Sequence, residues 1–412
     1  MTASATGDVR QSDDVRAEIA SLIEQNVSGA LEREIGHQLP TDVLTALKQA
    51  GFGALRVPQE FGGRGLSWVD ITRVWIDLAA ADANLAQALR GHFTLVEDVL
   101  FRHRRGADQS AWFERFVAGE IAGNAWTEIG STLIGDVQTV VVPEGDHYRI
   151  NGRKFYTTGT IFAEWADVYA RLDDGGESTH VIAIVDTRQP GVVVQDDWDG
   201  FGQRGTGSGT AEFTDARVER GHLLPFVERH PYQTALYQLN LIATLAGIAK
   251  AIHRDVVAEV RARTRNYSHA NASRVRDDPQ VLGLVGEISA AAYAAEAVAV
   301  RAAAALDVAS DAATAPDAEL RRATEAAELE TSAAQVAVSK MVLDSATELF
   351  DALGASATST GRGLDRHWRN ARTVASHNPR LFKAKVLGAF DVNATPPPYA
   401  WSIGTTPSRD GA

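Results

Sequence analysis

The sequence predicts an α+β protein in three consecutive parts: an N-terminal helical domain (residues 1–120), a β domain (121–225) and a C-terminal four-helix bundle (226–395), followed by a tail (396–412). Three observations carry this reading. Apolar residues recur at i, i+3, i+4 spacing before and after a central stretch, and within that stretch they alternate with polar neighbours. The chain has 412 residues, whereas single cores rarely grow past about 250–300 residues.

In the first part Ile19, Leu22 and Ile23, then Val43, Leu44 and Leu47, mark amphipathic helices. The glycines and Pro58 of GFGALRVPQEFGGRGLSW (Gly51 to Trp68) mark a compact loop region between helices. In the second part Val137, Thr139 and Val141 alternate, Tyr148 and Ile150 lead into Asn151-Gly152, and Val181 to Val185 form a further β-prone run. An Asn-Gly pair between β-forming residues predicts a hairpin turn. In the third part helices are expected near 234–265, 279–308, 317–353 and 364–392, with Val281, Leu284, Val285 and Ile288 on one face. The alanine-rich SAAAYAAEAVAVRAAAA permits close helix approach, as a bundle requires. The aromatic residues after Pro396 to Pro398, Tyr399 and Trp401, predict that the tail docks on this subunit or a neighbour.

A formal charge of -13 argues against a broad nucleic-acid surface or an anionic-membrane partner. The absence of cysteine excludes disulfides, thiolate metal sites and cysteine nucleophiles. No zinc, EF-hand, P-loop or G-x-S-x-G spacing occurs. The N-terminus lacks an apolar signal core, and Ser289 to Leu306 is interrupted by Glu296 and Arg301, so the expectation is a cytoplasmic protein without a membrane span.

Chemistry concentrates in DRHWRNARTVASHNP (Asp365 to Pro379), with Arg366, Arg369, Arg372, His367 and His377 in one helical run. From spacing alone, a basic helix face paired with carboxylates explains it. Gly200, Gly202 and Gly205 spell G-x-G-x-x-G, but charges precede them and a Gly/Thr/Ser run follows, so a loop between strands is expected rather than a dinucleotide fold. Trp198, Arg204, Thr206 and Ser208 of that loop are available to a ligand. In AGNAWTEIGST, Asn124, Thr127 and Ser131 suit hydrogen bonds to a planar heteroaromatic ring or plain turn chemistry, and Thr157 and Thr158 of RKFYTTGT share that ambiguity. His92 in LRGHF is a lone histidine on a helix, more often structural than catalytic. Arg263 and Arg265 end a helix, where cations complement the dipole or bind phosphate.

In this order the segments GFGALRVPQEFGGRGLSW, AWTEIGST and INGRKFYTTGTIFAEWADVYARL resemble the acyl-CoA dehydrogenase superfamily over nearly the whole chain. The resemblance implies a β-barrel as the middle domain and a homotetramer. The dehydrogenases carry a glutamate base in R-D-A-R-x-x-x-I-Y-E-G-T, where this chain has Asn378, and an amide cannot abstract a proton. WRNARTVASHNP, Gly123 to Ala125 and Trp198 to Gly209 are more similar to the flavin-dependent monooxygenase branch, that of the dibenzothiophene, alkyl-sulfone and indole oxygenases. Members of the dibenzothiophene type have a second histidine where this chain has Val374, so the role rests on His377.

That branch implies a two-component monooxygenase in which reduced flavin and O2 form a C4a-hydroperoxide that oxygenates a small molecule, such as an organosulfur compound or an indole-type heteroaromatic. A separate NAD(P)H:flavin reductase is implied, and FMN is preferred over FAD because LFDALGASATST lacks the G-G-x-G of the adenosine site. His377 would meet the peroxide as an imidazole titrating near working pH, with His92 on the substrate side and Asn124 and Thr157 near the reactive ring atoms. Thr127, Thr158, Trp198, Arg204, Ser208, Arg369 and Asn370 would bind the cofactor, and Arg263 or Arg265 its phosphate. Acyl-CoA dehydrogenase-type desaturation and a catalytically silent homologue are the competing readings.

Overall fold

The computed structural model describes residues 3–130 and 135–398. The first part is helical: α1 (Ala3–Asn26), α2 (Ala30–Gly36), α3 (Thr41–Gln49), α4 (Trp68–Ala81), α5 (Ala83–Ala88), α6 (Arg90–Arg104) and α7 (Ser110–Val117). Side-chain caps set two of the starts. Ser67 accepts from the Asp70 N–H at α4, and Asp82 accepts from the Asn84 N–H at α5.

The sheet contains β1 (Ala122–Ala125), β2 (Val140–Glu144), β3 (His147–Lys154), β4 (Trp165–Leu172), β5 (Thr179–Asp186), β6 (Val192–Val194), β7 (Ala211–Glu219) and β8 (Leu223–Pro225). Its order is β6-β7-β3-β2-β4-β5-β8, with β1 parallel to β4. β7 and β5, four ladder steps apart, touch face to face. The expected barrel is therefore a curled sheet with β6 and β8 as its ends, closed around Val141, Ile150, Val168, Ala183, Phe213 and Val218.

The turn between β2 and β3 corrects the hairpin expectation. It lies at Gly145-Asp146, where Gly145 has φ 59°, because Glu144 pairs with His147. Asn151 and Gly152 lie inside β3 at a register shift against β7. A Cβ on Gly152 would come within 2.4 Å of the Thr139 hydroxyl, and the Asn151 amide exchanges hydrogen bonds with Asp215. The residue pair that suits a tight turn also suits a bulge.

The bundle comprises α8 (Gln233–Ala262), α9 (Pro279–Asp311), α10 (Asp317–Leu353), α11 (Asp365–His377) and α12 (Arg380–Asn393). α8 is a buried core helix packed against α4, α9, α10 and α11. The single helix expected over 364–392 is two helices. Pro379 has no N–H to continue α11, and it holds Asn378 extended at φ -117°, ψ 114°. α9 is apolar yet exposes Leu282, Gly286, Tyr293, Ala297, Ala304 and Val308, spaced by four and seven residues along one stripe. The tail residues Tyr399 and Trp401 lie outside the described residues.

Candidate active site

All three parts of the chain contribute to one concave region: the start of α6, the end of β1, the first turns of α8 and the end of α11. Glycines allow the approach. A Cβ on Gly91 would lie 2.8 Å from the Asn124 backbone nitrogen, and one on Gly123 would lie 2.3 Å from the Thr160 backbone. Gly123→Ala is therefore expected to displace the 157–160 segment and destabilise the fold by about 1–3 kcal/mol. A denaturation curve unchanged from wild type would show that the segment yields without cost.

His377 has an accessible ring, yet protein crowds it. Only a concave pocket combines the two. Desolvation, and then the Arg90 charge, push its pKa from an ordinary 6.5 down to about 3. The expectation of an imidazole titrating near working pH is corrected: in the free protein His377 is neutral there. Asn378 holds it. The Asn378 amide nitrogen donates to Gln238 Oε1 at 2.9 Å and its backbone carbonyl accepts from Gln335. Its Oδ1 thereby faces His377 Nδ1 at 3.4 Å. The favoured tautomer donates from Nδ1 and leaves Nε2 as an acceptor.

Beside His377, the Arg90 guanidinium carbon lies 5.2 Å from the Tyr237 ring centroid. Trp126 meets Tyr237 edge-on at 5.5 Å and donates from Nε1 to Asp167 at 2.9 Å. Behind Trp126 is a fully buried charge cluster. Arg229 lies 2.5 Å from Asp98 and 2.9 Å from Asp167, and His230 lies 2.5 Å from Asp98. Burial raises the Asp98 pKa, but Arg229 and His230 together bring it below its ordinary value.

Asn124 reaches this region with its side-chain oxygen buried and without a protein hydrogen bond. Thr158 is buried and joined through Ser208 to Thr206, whose hydroxyl donates to the Gln203 carbonyl. Thr127 pairs with Phe155 through its backbone, and Trp198 donates to the Gly202 carbonyl at 3.1 Å. The Gly200 to Gly205 run is a loop, as expected. Ser131 lies outside the described residues.

Several other candidates are corrected. His92 is fully buried, with Nε2 on the Gly53 carbonyl at 2.7 Å and Nδ1 accepting from the Ala122 N–H at 3.3 Å. Burial lowers its pKa to about 4, so it is a neutral structural link with neither nitrogen free for substrate. Thr157 spends its hydroxyl on the Gly209 carbonyl. Arg369 bonds Glu34, Asp365 and the Phe201 carbonyl, while Asn370 accepts from the Gln203 N–H at 2.6 Å, so both anchor the glycine loop to α11. Arg204 is engaged by His37. Arg263 donates to the Leu353 carbonyl at 2.7 Å. Arg265 is exposed, and its guanidinium has no protein partner among the described residues, whereas Arg263 gives two N–H groups to backbone carbonyls.

Sequence reasoning passed over Arg90, Trp126, Gln238 and Gln335. Arg90 precedes His92 by two positions, and residues two apart on a helix point about 200° apart. Taking His92 as the pocket-facing residue turned Arg90 away. Of the residues in the first turns of α8, Tyr237 lines this region. Tyr232 instead donates to Glu97, and Asn240 donates to the Ala86 carbonyl.

Residues 10–120, 124–216 and 240–379 match the N-terminal, middle and C-terminal domains of acyl-CoA dehydrogenases. The chain is 29% identical to the probable FMNH2-dependent monooxygenase SfnC of Pseudomonas putida, over 90% of this chain and 93% of that protein. It is 26% identical to dibenzothiophene monooxygenase of Rhodococcus qingshengii, over 91% of this chain and 92% of that one. Among solved structures, methanesulfinate monooxygenase MsuC of Pseudomonas fluorescens superimposes with a TM-score of 0.83 at 28% identity, covering 93% of this chain and 98% of that one. FMN-bound TdsC of Paenibacillus sp. A11-2 gives 0.85 at 26% identity, covering 95% and 99%. The chain belongs to the acyl-CoA dehydrogenase family.

Proposed function

We propose that this protein is the oxygenase of a two-component flavin system, using reduced FMN and O2 to oxygenate a small organosulfur or indole-type substrate. The carrying observation is the pair His377-Asn378: a neutral imidazole open to the pocket stands beside an amide that cannot act as the base of a desaturase. The buried carboxylates Glu97, Asp98 and Asp167 are each held by an arginine and are not free to act as that base. The relatives named as FMNH2-dependent, dibenzothiophene and methanesulfinate monooxygenases support the same reading.

The residues fit a flavin. Asn124 offers a buried, unbonded acceptor to an N–H on the ring edge, and the glycine contacts of α6 and β1 place backbone close by. When bound, reduced flavin supplies the electrons that activate O2. His377 Nε2 would accept a hydrogen bond from the oxygen to be transferred. Trp126 and Tyr237 wall the region against water.

The exposed stripe of α9 supports self-association, completed in this reading as a homotetramer. The reductase partner, a cytoplasmic location and domain limits at 120, 225 and 395 belong to the same proposal.

Anaerobic protein mixed with reduced FMN and then O2 is expected to give a transient absorbance distinct from both reduced and oxidised FMN. Its absence with FMN and FAD alike would remove the central step. Reduction of oxidised flavin by an acyl-CoA thioester would favour the desaturase instead.

A further inference from the structure

Among the described residues three arginines are buried, and two of them have carboxylate partners. Arg56 pairs with Glu97 at 3.0 Å, and Arg229 pairs with Asp98 and Asp167. Arg90 is 4% exposed, its Nε is buried without a hydrogen bond, and among the described residues no carboxylate lies within ion-pair distance. Its neighbours are the Tyr237 ring and the neutral His377. The Tyr237 hydroxyl is likewise buried without a partner. An unpaired charge taken out of water is costly, and proteins keep one where something of opposite sign completes it.

The protonation states agree. Burial lowers the Arg90 pKa to about 10, which leaves the guanidinium charged at neutral pH. Burial, followed by the Asp167 charge, raises the Tyr237 pKa well above its ordinary value, so its hydroxyl keeps a proton to donate. Asp167 does not neutralise Arg90, since Arg229 and Trp126 already occupy it. The region therefore presents a planar fork of donors, one hydroxyl donor and a net positive charge.

We infer that Arg90, with the Tyr237 hydroxyl, receives an oxyanion headgroup on the substrate, a sulfinate or a carboxylate, and so selects anionic small molecules over neutral ones. This deepens the proposed oxygenase reading, because it names the substrate class of the same site. A two-oxygen anion matches the guanidinium fork bidentately and leaves the rest of the molecule to reach toward His377.

The test is calorimetric titration of the flavin-free full chain with methanesulfinate and propionate, and with neutral dimethyl sulfone. Wild type is expected to bind both anions more tightly than the sulfone. Arg90→Met should weaken the anions about tenfold or more and leave the sulfone unchanged, Arg90→Lys should retain part of the affinity, and Tyr237→Phe should fall between. Arg90→Met should also melt at a higher temperature than wild type without ligand, because it removes an unpaired buried charge. Equal binding of the anions by wild type and Arg90→Met, or no preference for anions over the sulfone, would overturn the inference. So would an Arg90→Met that loses only reduced-FMN affinity, which would make Arg90 a cofactor contact. The titration contains no flavin, so an Arg90-dependent anion site would stand even if the oxygenase reading failed, and the oxygenase reading would survive the loss of the anion site.

Discussion

Replacing His377 with glutamine is expected to lower coupled product formation by roughly 100- to 1,000-fold, the range lost with one positioned hydrogen-bonding group in an active site, while leaving the fold intact. The ring lies at the end of α11 and bonds only Asn378 among the described residues, so its loss removes little packing. Product formed per reduced FMN consumed, with circular dichroism as the fold control, measures the effect. Near-normal coupling in the variant would end the assignment. The pH dependence carries a sign. The folded pKa is depressed from 6.5 to about 3, so the neutral form is complete at neutral pH and is lost only on strong acidification. The wild-type rate should therefore show no ionisation of His377 between about pH 5 and 9 in the free enzyme. A step near pH 6.5 that disappears in the glutamine variant would show that the pocket is wetter than its geometry implies.

Arg229→Met should cost at least about 3–5 kcal/mol of stability, the usual penalty for leaving a buried charge uncompensated. Arg229 and both of its carboxylate partners are nearly inaccessible to solvent, and it balances two charges. Losing it strands Asp98 against His230 alone, and leaves Asp167 with only the Trp126 indole donor. Urea unfolding measures the change, and adding Asp98→Asn and Asp167→Asn should restore much of it. A single variant within about 1 kcal/mol of wild type would mean that the cluster is not held as charges. Trp126 depends on this cluster for its orientation, so the damage should extend to the pocket wall.

The order of helices, sheet and bundle was legible because helix and strand periodicities are local, and each can be read within a dozen residues. The hairpin turn was misplaced because Asn151-Gly152 satisfies a bulge as well as a turn, and only the pairing of β3 with β7 decides between them. The break before α12 was signalled by Pro379 itself but was read through by apolar periodicity on both sides. At the proposed site the motifs singled out Asn124 and His377. The rest was hidden where it depends on long-range convergence: Arg90, Trp126 and Tyr237 come from three separate elements. Motif residues also proved to be scaffolding. Glu128 of AWTEIGST and Lys154 of INGRK form a buried ion pair at 2.7 Å that fastens two resembling segments together.

The two-residue break between α11 and α12 has a consequence for redesign. Position 378 is where the dehydrogenases carry their glutamate, yet here it lies beyond the end of a helix, its amide bonded to Gln238 and its carbonyl gripped by Gln335. A carboxylate grafted onto that position would keep the Gln335 grip on its backbone carbonyl but has no N–H to give Gln238 Oε1, so it would lose the bond that orients the amide. Exchanging one chemistry for the other is thus a question of backbone direction at a single joint as well as of the side chain.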